Sequence, residues 1–349
     1  MTAISVLALG GTIDNHRPTS PEVGSLPGSQ VERLVQELVV AELLPPGVTV
    51  QRWGRRSGAT LTPSDFVAVA DAVTALIDEG AGGVVVTTGT DTLEECAYAL
   101  ACLVSCSVPV VVTGCMRRPG EPGSDAAASL LAAVRAAGSP ELVDDAPVVV
   151  LGDEVLSSVV ATKSEAAIPA AFGSENAGRI GVVAEGRFLS SRPHPAAHHL
   201  GRPSDGLVDV DLVWMASGSD GVALHAAALA GRGVVIAALG GGHLPPAAMP
   251  GVEAVLKRDL PVVVASRCGL GPTLDGTYAG PGSELHLQEL GAVMAGFLSP
   301  LKARLRLLYG WSLGFSADEL FPVGPAGLLR THPGSSGALH PVSTTVGAG

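Results

Sequence analysis

Short apolar runs that end in glycine or threonine alternate along the chain with segments whose apolar residues recur every three or four positions. The first run covers residues 4–9 and ends at Gly10 and Gly11, and another covers residues 83–86. Such runs are typical of buried strands in a parallel sheet, and the helical spacing between them indicates amphipathic helices. The pattern predicts an α/β protein in which strands and helices alternate.

Further elements follow from the same pattern in both halves of the chain. We expect strands at residues 109–113, 147–151, 210–215, 233–239 and 261–266. We expect helices at residues 31–43, 62–77, 93–100, 124–137, 220–230 and 247–258. Thr62-Pro63 has the residue types of a helix start, and Asp91 or Thr92 is placed to cap the helix that follows.

A break in this alternation divides the chain. Residues 185–209 are rich in Arg, Pro, His, Ser and Gly, and we interpret them as a linker. Residues 1–184 are predicted to form a larger domain with a mostly parallel, doubly wound sheet. Residues 210–330 are predicted to form a smaller α/β domain, also with a parallel sheet, and residues 331–349 a mobile tail.

Composition narrows the class of protein. The 349 residues exceed one typical hydrophobic core, which favours two domains. With 47% hydrophobic and 15% charged residues, the chain is expected to be globular with much buried sheet. A formal net charge of -12 argues against nucleic acid or an anionic membrane surface as a partner.

The expected compartment follows from three features. No basic, apolar leader precedes the first strand, and the apolar stretch at residues 222–239 is interrupted by His225 and Arg232. The five cysteines are an odd number without the paired spacing of metal ligands, and we interpret them as small hydrophobic residues of a reducing compartment. We therefore expect a cytoplasmic protein without a metal site.

Hydroxyl side chains follow two of the predicted strands. Thr12 comes directly after Gly10 and Gly11, and Thr90 and Asp91 follow Gly89 at the end of the second run. Ligands of open parallel sheets bind beyond the carboxyl ends of the strands, and glycine lets a substrate approach the backbone there. The sequence thus predicts a site that contains two threonines and a carboxylate. Each alone has a structural interpretation as a turn or helix-cap residue.

Four motifs occur in order through the first domain: Leu-Gly-Gly-Thr-Ile at residues 9–13, Thr-Gly-Thr-Asp-Thr at 88–92, Gly-Cys-Met-Arg at 114–117 and Thr-Lys-Ser at 162–164. In this combination the chain resembles the bacterial-type L-asparaginase family, which includes glutaminase-asparaginases. The likeness continues through the second domain and stops only at the tail. A lone Gly-Gly-Thr is weak evidence, but four ordered motifs are specific.

The resemblance implies hydrolysis of a side-chain amide by the N-terminal domain. Thr12 would be the nucleophile that forms an acyl-enzyme, and Thr90, Asp91 and Lys163 would provide a proton path and position the attacking water. Asp91 would also hold the substrate's α-ammonium group. A threonine hydroxyl needs a base to become a nucleophile, and which base activates which threonine stays open. No cofactor is implied.

The remaining implied contacts are to the substrate. Gly11 opens access to the backbone, while N–H groups at Gly89 and near Cys115 are candidate oxyanion donors. Gly58 stands where the family has a binding serine, and Ser57 precedes it as an alternative contact. His243 and Glu284 stand where the second domain reaches the site, with Glu284 supplied by a neighbouring subunit. A homodimer or homotetramer with sites at the interface is therefore expected.

Two departures from the family leave alternatives open. No tyrosine occurs in residues 14–30, where the family has one that closes over the substrate, and Asp14 adds a negative charge near Thr12. Glutamine or another ω-amide therefore remains an alternative substrate, and a non-catalytic amino-acid-binding protein an alternative function. Nucleotide binding is disfavoured because Gly10-Gly11-Thr12 lacks the Gly-x-Gly-x-x-Gly spacing.

Overall fold

The structure is a computed structural model that describes residues 3–15, 29–143, 146–174, 176–191 and 199–322. The chain separates into two compact units, Met1–Ala197 and His198–Gly349. Both units are α/β, as the sequence predicts. The predicted tail, residues 331–349, lies outside the described residues.

The first unit is built on an eight-stranded sheet and a separate strand pair. In chain order the strands are β1 Ile4–Gly10, β2 Thr49–Arg56, β3 Gly83–Thr87, β4 Val110–Thr113, β5 Val148–Leu151, β6 Glu154–Ser157, β7 Thr162–Lys163, β8 Phe172–Gly173, β9 Gly181–Ala184 and β10 Arg187–Ser190. The large sheet has the order β10-β9-β6-β5-β4-β3-β1-β2, and of the strands in the described ranges β7 pairs with β8 alone. Strands β1 to β5 are parallel, whereas β6, β9 and β10 add antiparallel pairs at one side.

Helices cover both faces of this sheet. They are α1 Gln30–Val40, α2 Pro63–Asp78, α3 Leu93–Leu103 and α4 Ala126–Ala137. Helix α1 contacts α4, and α2 contacts α3, so each pair forms one layer. Strands β3, β4 and β5 are buried throughout, and the apolar runs of the sequence reflect this two-sided burial. Capping boxes at Ser29 and Thr62 begin α1 and α2.

The second unit has a smaller, fully parallel sheet. Its strands are β11 Val210–Trp214, β12 Gly233–Ala238, β13 Val262–Ser266 and β14 Val293–Met294, in that spatial order. Its helices are α5 Val222–Ala230, α6 Met249–Leu256, α7 Glu284–Glu289, α8 Pro300–Ser312 and α9 Ala317–Leu320. Helices α5 and α6 pack together, while α8 contacts β11, β12 and β13. A separate apolar core lies within this unit.

The predicted linker begins too early in the sequence. Strand β10 pairs with β9 within the first unit, so residues 185–190 of the predicted linker belong to a hairpin. Glu185 and Gly186 connect the two strands with φ of 51° and 79°, the left-handed conformation of a tight two-residue hairpin turn. The charged and polar residues of β10 suggested a linker because this strand lies at an exposed edge of the sheet.

The end of one helix and the detail of one helix cap also differ from the prediction. Helix α1 ends at Val40 rather than at residue 43, because Ala41 is its C-cap and Glu42 has a φ of 59°. Thr92 is the N-cap residue of α3, but its side chain does not cap that helix. Its hydroxyl donates instead to the carbonyl of Gly58, 2.9 Å away.

Candidate active site

Adjacent parallel strands bring the two threonine segments to one edge of the large sheet. Strand β1 pairs with β3 in register from Ile4 and Gly83 to Ala8 and Thr87. The chain leaves β1 through a one-turn 3-10 helix, Thr12–Asp14, and leaves β3 through the turn that contains Thr90. Both segments therefore emerge at the carboxyl ends of neighbouring strands, where ligands of parallel sheets bind.

Backbone contact between the two segments requires glycine. Gly11 has a φ of 81°, and a Cβ atom placed on it would lie 2.3 Å from the backbone nitrogen of Gly89. Such a separation is impossible for a real Cβ atom, so any other residue at position 11 would push the two turns apart. Thr12, which is half-buried, follows Gly11 directly, and Thr90 follows Gly89. The glycine pair therefore sets the spacing between the two threonines.

A third glycine joins this contact from the segment after β2. A Cβ atom on Gly89 would lie 2.8 Å from the backbone nitrogen of Gly58. Gly58 is buried beside the turn and is further held by Thr92, whereas Ser57 is exposed and its carbonyl accepts from Thr60. The structure thus places Gly58 against the threonine turn. The contacts of Gly58 and Ser57 with substrate stay predictions.

Lys163 meets the second threonine segment through its ammonium group. Its Nζ donates to Thr90 Oγ1 and to Asp91 Oδ1, each at 3.0 Å. Thr90 is buried, and the Lys163 side chain is 17% exposed, whereas the Asp91 side chain is 63% exposed. The group therefore has a covered hydroxyl–ammonium pair and a carboxylate open to solvent. Residues more than 70 positions apart in the chain form one polar cluster.

Glu94 contributes a contact that the sequence did not suggest. Its Oε1 accepts from the backbone N–H of Lys163 at 3.1 Å, and its Oε2 accepts from Thr162 Oγ1 at 3.3 Å. Glu94 is only 6% exposed, although it lies in the first turn of α3. A carboxylate at that position is normally explained by the helix dipole alone, so no sequence signal marks the contact.

The side chain of Cys115 lies in the hydrophobic core of the first unit. Burial raises the pKa of its thiol strongly, and the charges of Asp125 and Glu121 add to the effect. A thiol in this environment is inert toward a substrate. Only the predicted backbone N–H near residue 115 remains a candidate donor, and its role stays a prediction.

His243 and Glu284 contact each other in the second unit. Glu284 is fully buried at the start of α7, and its Oε2 lies 3.0 Å from His243 Nε2. Its Oε1 accepts from the backbone N–H groups of Thr277 and Tyr278 at 2.7 and 2.5 Å. The His243 ring meets the Tyr278 ring edge-on at 5.0 Å. The structure brings the two predicted residues together, and their contact with substrate stays a prediction.

Comparison with known proteins decides the family. Residues 3–195 match the family described as Asparaginase, N-terminal, and residues 209–320 match the Glutaminase/Asparaginase C-terminal domain. The chain belongs to the asparaginase family.

Individual members of the asparaginase family span most of the chain. A probable L-asparaginase of Deinococcus radiodurans is 37% identical over 259 residues, which are 73% of this chain and 79% of that protein. An L-asparaginase of Bacillus licheniformis is 32% identical over 66% of this chain and 71% of that protein. The crystal structure of a probable cytoplasmic L-asparaginase from Campylobacter jejuni is 25% identical, with a TM-score of 0.78 over 91% of this chain and 96% of that one.

Asp14, the unusual residue directly after the first asparaginase motif, caps a helix. Its carboxylate is 2% exposed, and its Oδ1 accepts from Ser29 Oγ at 2.6 Å and from the backbone N–H groups of Gln30 and Val31 at 2.7 and 3.3 Å. These groups form the N-terminus of α1, where a negative charge is stabilising. The charge expected near Thr12 is thus directed at the helix instead. Most of the segment in which the family has its closing tyrosine, residues 16–28, lies outside the described part of the chain.

We expect the Asp14→Ala variant to be less stable than the wild-type protein. Three donors of α1 would lose their buried acceptor, which costs about 1–3 kcal/mol. Thermal unfolding followed by circular dichroism should show a midpoint several degrees lower. Asp14→Asn is the control, since its amide oxygen keeps an acceptor in place. An unchanged midpoint for Asp14→Ala would contradict the capping role.

Glu284 should make the stability of the second unit depend on pH. Burial alone would raise the pKa of Glu284, but its backbone N–H donors and the His243 ring hold it below the ordinary value of 4.5. Because the folded pKa is the lower one, the carboxylate stabilises the fold above about pH 4.5, and this contribution is lost as pH falls through the folded pKa. Glu284→Gln should therefore lower the unfolding midpoint at pH 7 and much less at pH 3. An equal deficit at both pH values would contradict the prediction.

Within the described residues, no three His, Cys, Asp or Glu side chains are grouped so that they could hold a metal ion. In the same part of the chain, no helix is long and apolar enough to cross a membrane.

Proposed function

We propose that this protein hydrolyses L-asparagine to L-aspartate and ammonia, with Thr12 as the nucleophile of an acyl-enzyme mechanism. Membership of the asparaginase family makes it an amidohydrolase of the asparaginase type. The observation that carries the mechanistic proposal is the Lys163 ammonium group, which lies 3.0 Å from both the Thr90 hydroxyl and the Asp91 carboxylate. An amine, a hydroxyl and a carboxylate in hydrogen-bond reach form a proton path.

In the first half of the proposed reaction, Thr12 Oγ attacks the carbon of the substrate's side-chain amide. The new O–C bond forms, the hydroxyl proton passes to the leaving nitrogen, and the C–N bond breaks to release ammonia. The negative oxygen of the tetrahedral intermediate is stabilised by backbone N–H groups of the Gly89 turn. One such donor contributes about 3–4 kcal/mol to lowering the barrier.

In the second half, water attacks the acyl carbon and the Thr12 ester bond breaks. Thr90 Oγ1 accepts a hydrogen bond from Lys163 on one lone pair, and its second lone pair is available to take a proton from the attacking water. As Thr90 takes that proton, a proton of the Thr90–Lys163 pair passes to the Thr12 oxygen, whose ester bond to the acyl group breaks. Hydrolysis of this kind needs a nucleophile, a proton path and oxyanion donors, and no cofactor is part of the proposal.

Recognition of the amino acid is proposed to depend on Asp91. Its side chain is 63% exposed, and one carboxylate oxygen binds Lys163. The carboxylate is therefore placed to pair with the substrate's α-ammonium group as well. Gly58 and Ser57 are proposed to meet the α-carboxylate, with Gly58 offering its backbone N–H.

Assembly and location are further parts of the proposal. A homodimer or homotetramer, in which Glu284 serves the site of a neighbouring subunit and His243 stands where the second domain reaches the site, follows from the family resemblance. Cytoplasmic location is supported by the five free cysteines, since disulfides are rare in reducing compartments. Nucleic acid and membranes are not proposed as partners.

Ammonia release tests the proposed function directly. Purified protein is incubated with L-asparagine, L-glutamine, D-asparagine and N-substituted asparagines, and ammonia is measured by a coupled assay. We expect the highest kcat/KM for L-asparagine. A higher kcat/KM for L-glutamine than for L-asparagine would make L-glutamine the substrate, with the same mechanism of amide hydrolysis. Tight aspartate binding in calorimetry without ammonia from any amide would overturn the enzymatic function.

A further inference from the structure

Lys163 does not belong to the large sheet that carries the other residues of the site. It is the second residue of β7, which among the strands of the described residues pairs with the two-residue strand β8 alone. By contrast, Thr12, Thr90 and Asp91 follow β1 and β3, which are held by a continuous ladder. The position of Lys163 must therefore be determined by contacts of its own segment.

Two sets of contacts connect this segment to the Thr90 turn. At the end of the side chain, Nζ binds Thr90 and Asp91. At the backbone, the N–H of Lys163 binds the Glu94 carboxylate, which also accepts from the Thr162 hydroxyl. Glu94 lies in the first turn of α3, three residues after Asp91, so both sets of contacts end on the same part of the chain.

The contacts at Glu94 are the ones able to determine the position of the segment. The Lys163–Asp91 ion pair joins a flexible four-carbon side chain to a mostly exposed carboxylate, and such pairs contribute little. The Glu94 carboxylate is only 6% exposed, and a hydrogen bond from a backbone N–H to a buried charged group is among the stronger ones. This hydrogen bond holds the backbone of Lys163. It therefore fixes the point from which the flexible side chain extends.

We propose that Glu94 is a positioning residue for the proton path, which holds the Thr162–Lys163 segment so that the Lys163 ammonium group stays at Thr90. The proposal rests on the proposed function only for its kinetic consequences. Glu94 itself touches neither the substrate nor the reacting atoms. Misplacement of a catalytic group by about 1 Å lowers turnover about 100-fold, so loss of this carboxylate is expected to act on kcat.

Three variants separate positioning from simple stability. Glu94→Ala removes both contacts and should lower kcat for L-asparagine about 10- to 100-fold while KM changes about twofold or less. Glu94→Gln keeps an oxygen for the Lys163 N–H and should recover most of the lost turnover. Thr162→Val removes one bond from an exposed residue, so it folds, and it should show a smaller loss of kcat. Glu95→Gln, which removes charge from the same helix turn, is the control for the helix dipole.

A second readout is independent of activity. The chain has three lysines, Lys163, Lys257 and Lys302, so acylation of each can be followed by peptide mass spectrometry. Lys257 is largely exposed and serves as the internal reference, and Lys163 is 17% exposed and bound. With a water-soluble N-hydroxysuccinimide ester, we expect acylation of Lys163 relative to Lys257 to be severalfold faster in Glu94→Ala and close to wild type in Glu94→Gln.

The two readouts distinguish failure of the two proposals. Faster Lys163 acylation in Glu94→Ala and Thr162→Val, with a loss of kcat that Gln repairs, supports positioning. Wild-type acylation and kcat in both variants would overturn it, as would an equal loss in Glu95→Gln. If the wild-type protein releases no ammonia but the acylation result holds, the proposed function fails while the positioning role of Glu94 stands.

Discussion

The Thr12→Ala variant is expected to lose L-asparagine hydrolysis by about 10,000-fold or more in kcat. The alanine side chain has no oxygen to form the acyl-enzyme, and the neighbouring Thr90 is bound to Lys163 in a different role. Aspartate binding should persist, because Thr12 follows a turn whose spacing is set by the backbone contact of Gly11 with Gly89. Ammonia release measures the first effect, and isothermal calorimetry with L-aspartate measures the second.

Thr12→Ser is the matched control for this experiment. It keeps the hydroxyl and removes only the methyl group, so we expect measurable turnover well above that of Thr12→Ala. Mass spectrometry of the protein mixed with L-asparagine and quenched in acid should detect an acyl adduct on the peptide that contains residue 12. Wild-type turnover by Thr12→Ala would show that another group is the nucleophile, and Thr90 would then be the first to examine.

The parallel core of both units is predictable from the sequence because its strands are buried on both faces. Residues 83–86 and 109–113 contain almost only apolar residues, and the structure has β3 and β4 there. Strands at edges and in hairpins have no such signal. Strand β2, Thr-Val-Gln-Arg-Trp-Gly-Arg-Arg, has no fully buried residue, and Arg52 and Arg56 pair with Glu32 and Asp65. Strand β10, Arg-Phe-Leu-Ser, contributes only Phe188 to the core, and an apolar pair between Arg187 and Ser190 is too short to predict a strand.

The candidate site also contains residues that the sequence predicts and residues that it does not. That Thr12, Thr90 and Asp91 lie at one edge of the sheet is predictable, because each follows an apolar run typical of a parallel strand, whereas their proposed roles come from the family resemblance. Lys163 was found through the family motif, since a two-residue strand has no periodicity. Glu94 was not found, because its burial and its contact with Lys163 depend on chain segments about 70 residues apart. The buried cap at Asp14 is another long-range result, since its partners begin at residue 29.

The Lys163→Met variant is expected to show the second largest loss, about 100- to 10,000-fold in kcat, the range of a general acid–base group. Methionine has a similar length but no proton to donate, so Thr90 loses its 3.0 Å donor and Asp91 its cation. The exposed Asp91 carboxylate remains able to bind the substrate's α-ammonium group, and KM should therefore change much less than kcat. Steady-state ammonia release over a range of L-asparagine concentrations separates the two parameters.

Lys163→Arg tests whether charge alone is sufficient. The guanidinium group keeps a positive charge, but it does not release a proton at accessible pH, so it cannot take part in proton transfer. If Lys163 exchanges a proton with Thr90 in the transfer from water to Thr12, arginine should restore little of the turnover lost in Lys163→Met. Recovery of near wild-type kcat by arginine would assign Lys163 an electrostatic role and would move the proton path to Thr90 and Asp91. Lys257→Met, which alters an exposed ion pair with Glu253 in the second unit, is the control and should leave kcat unchanged.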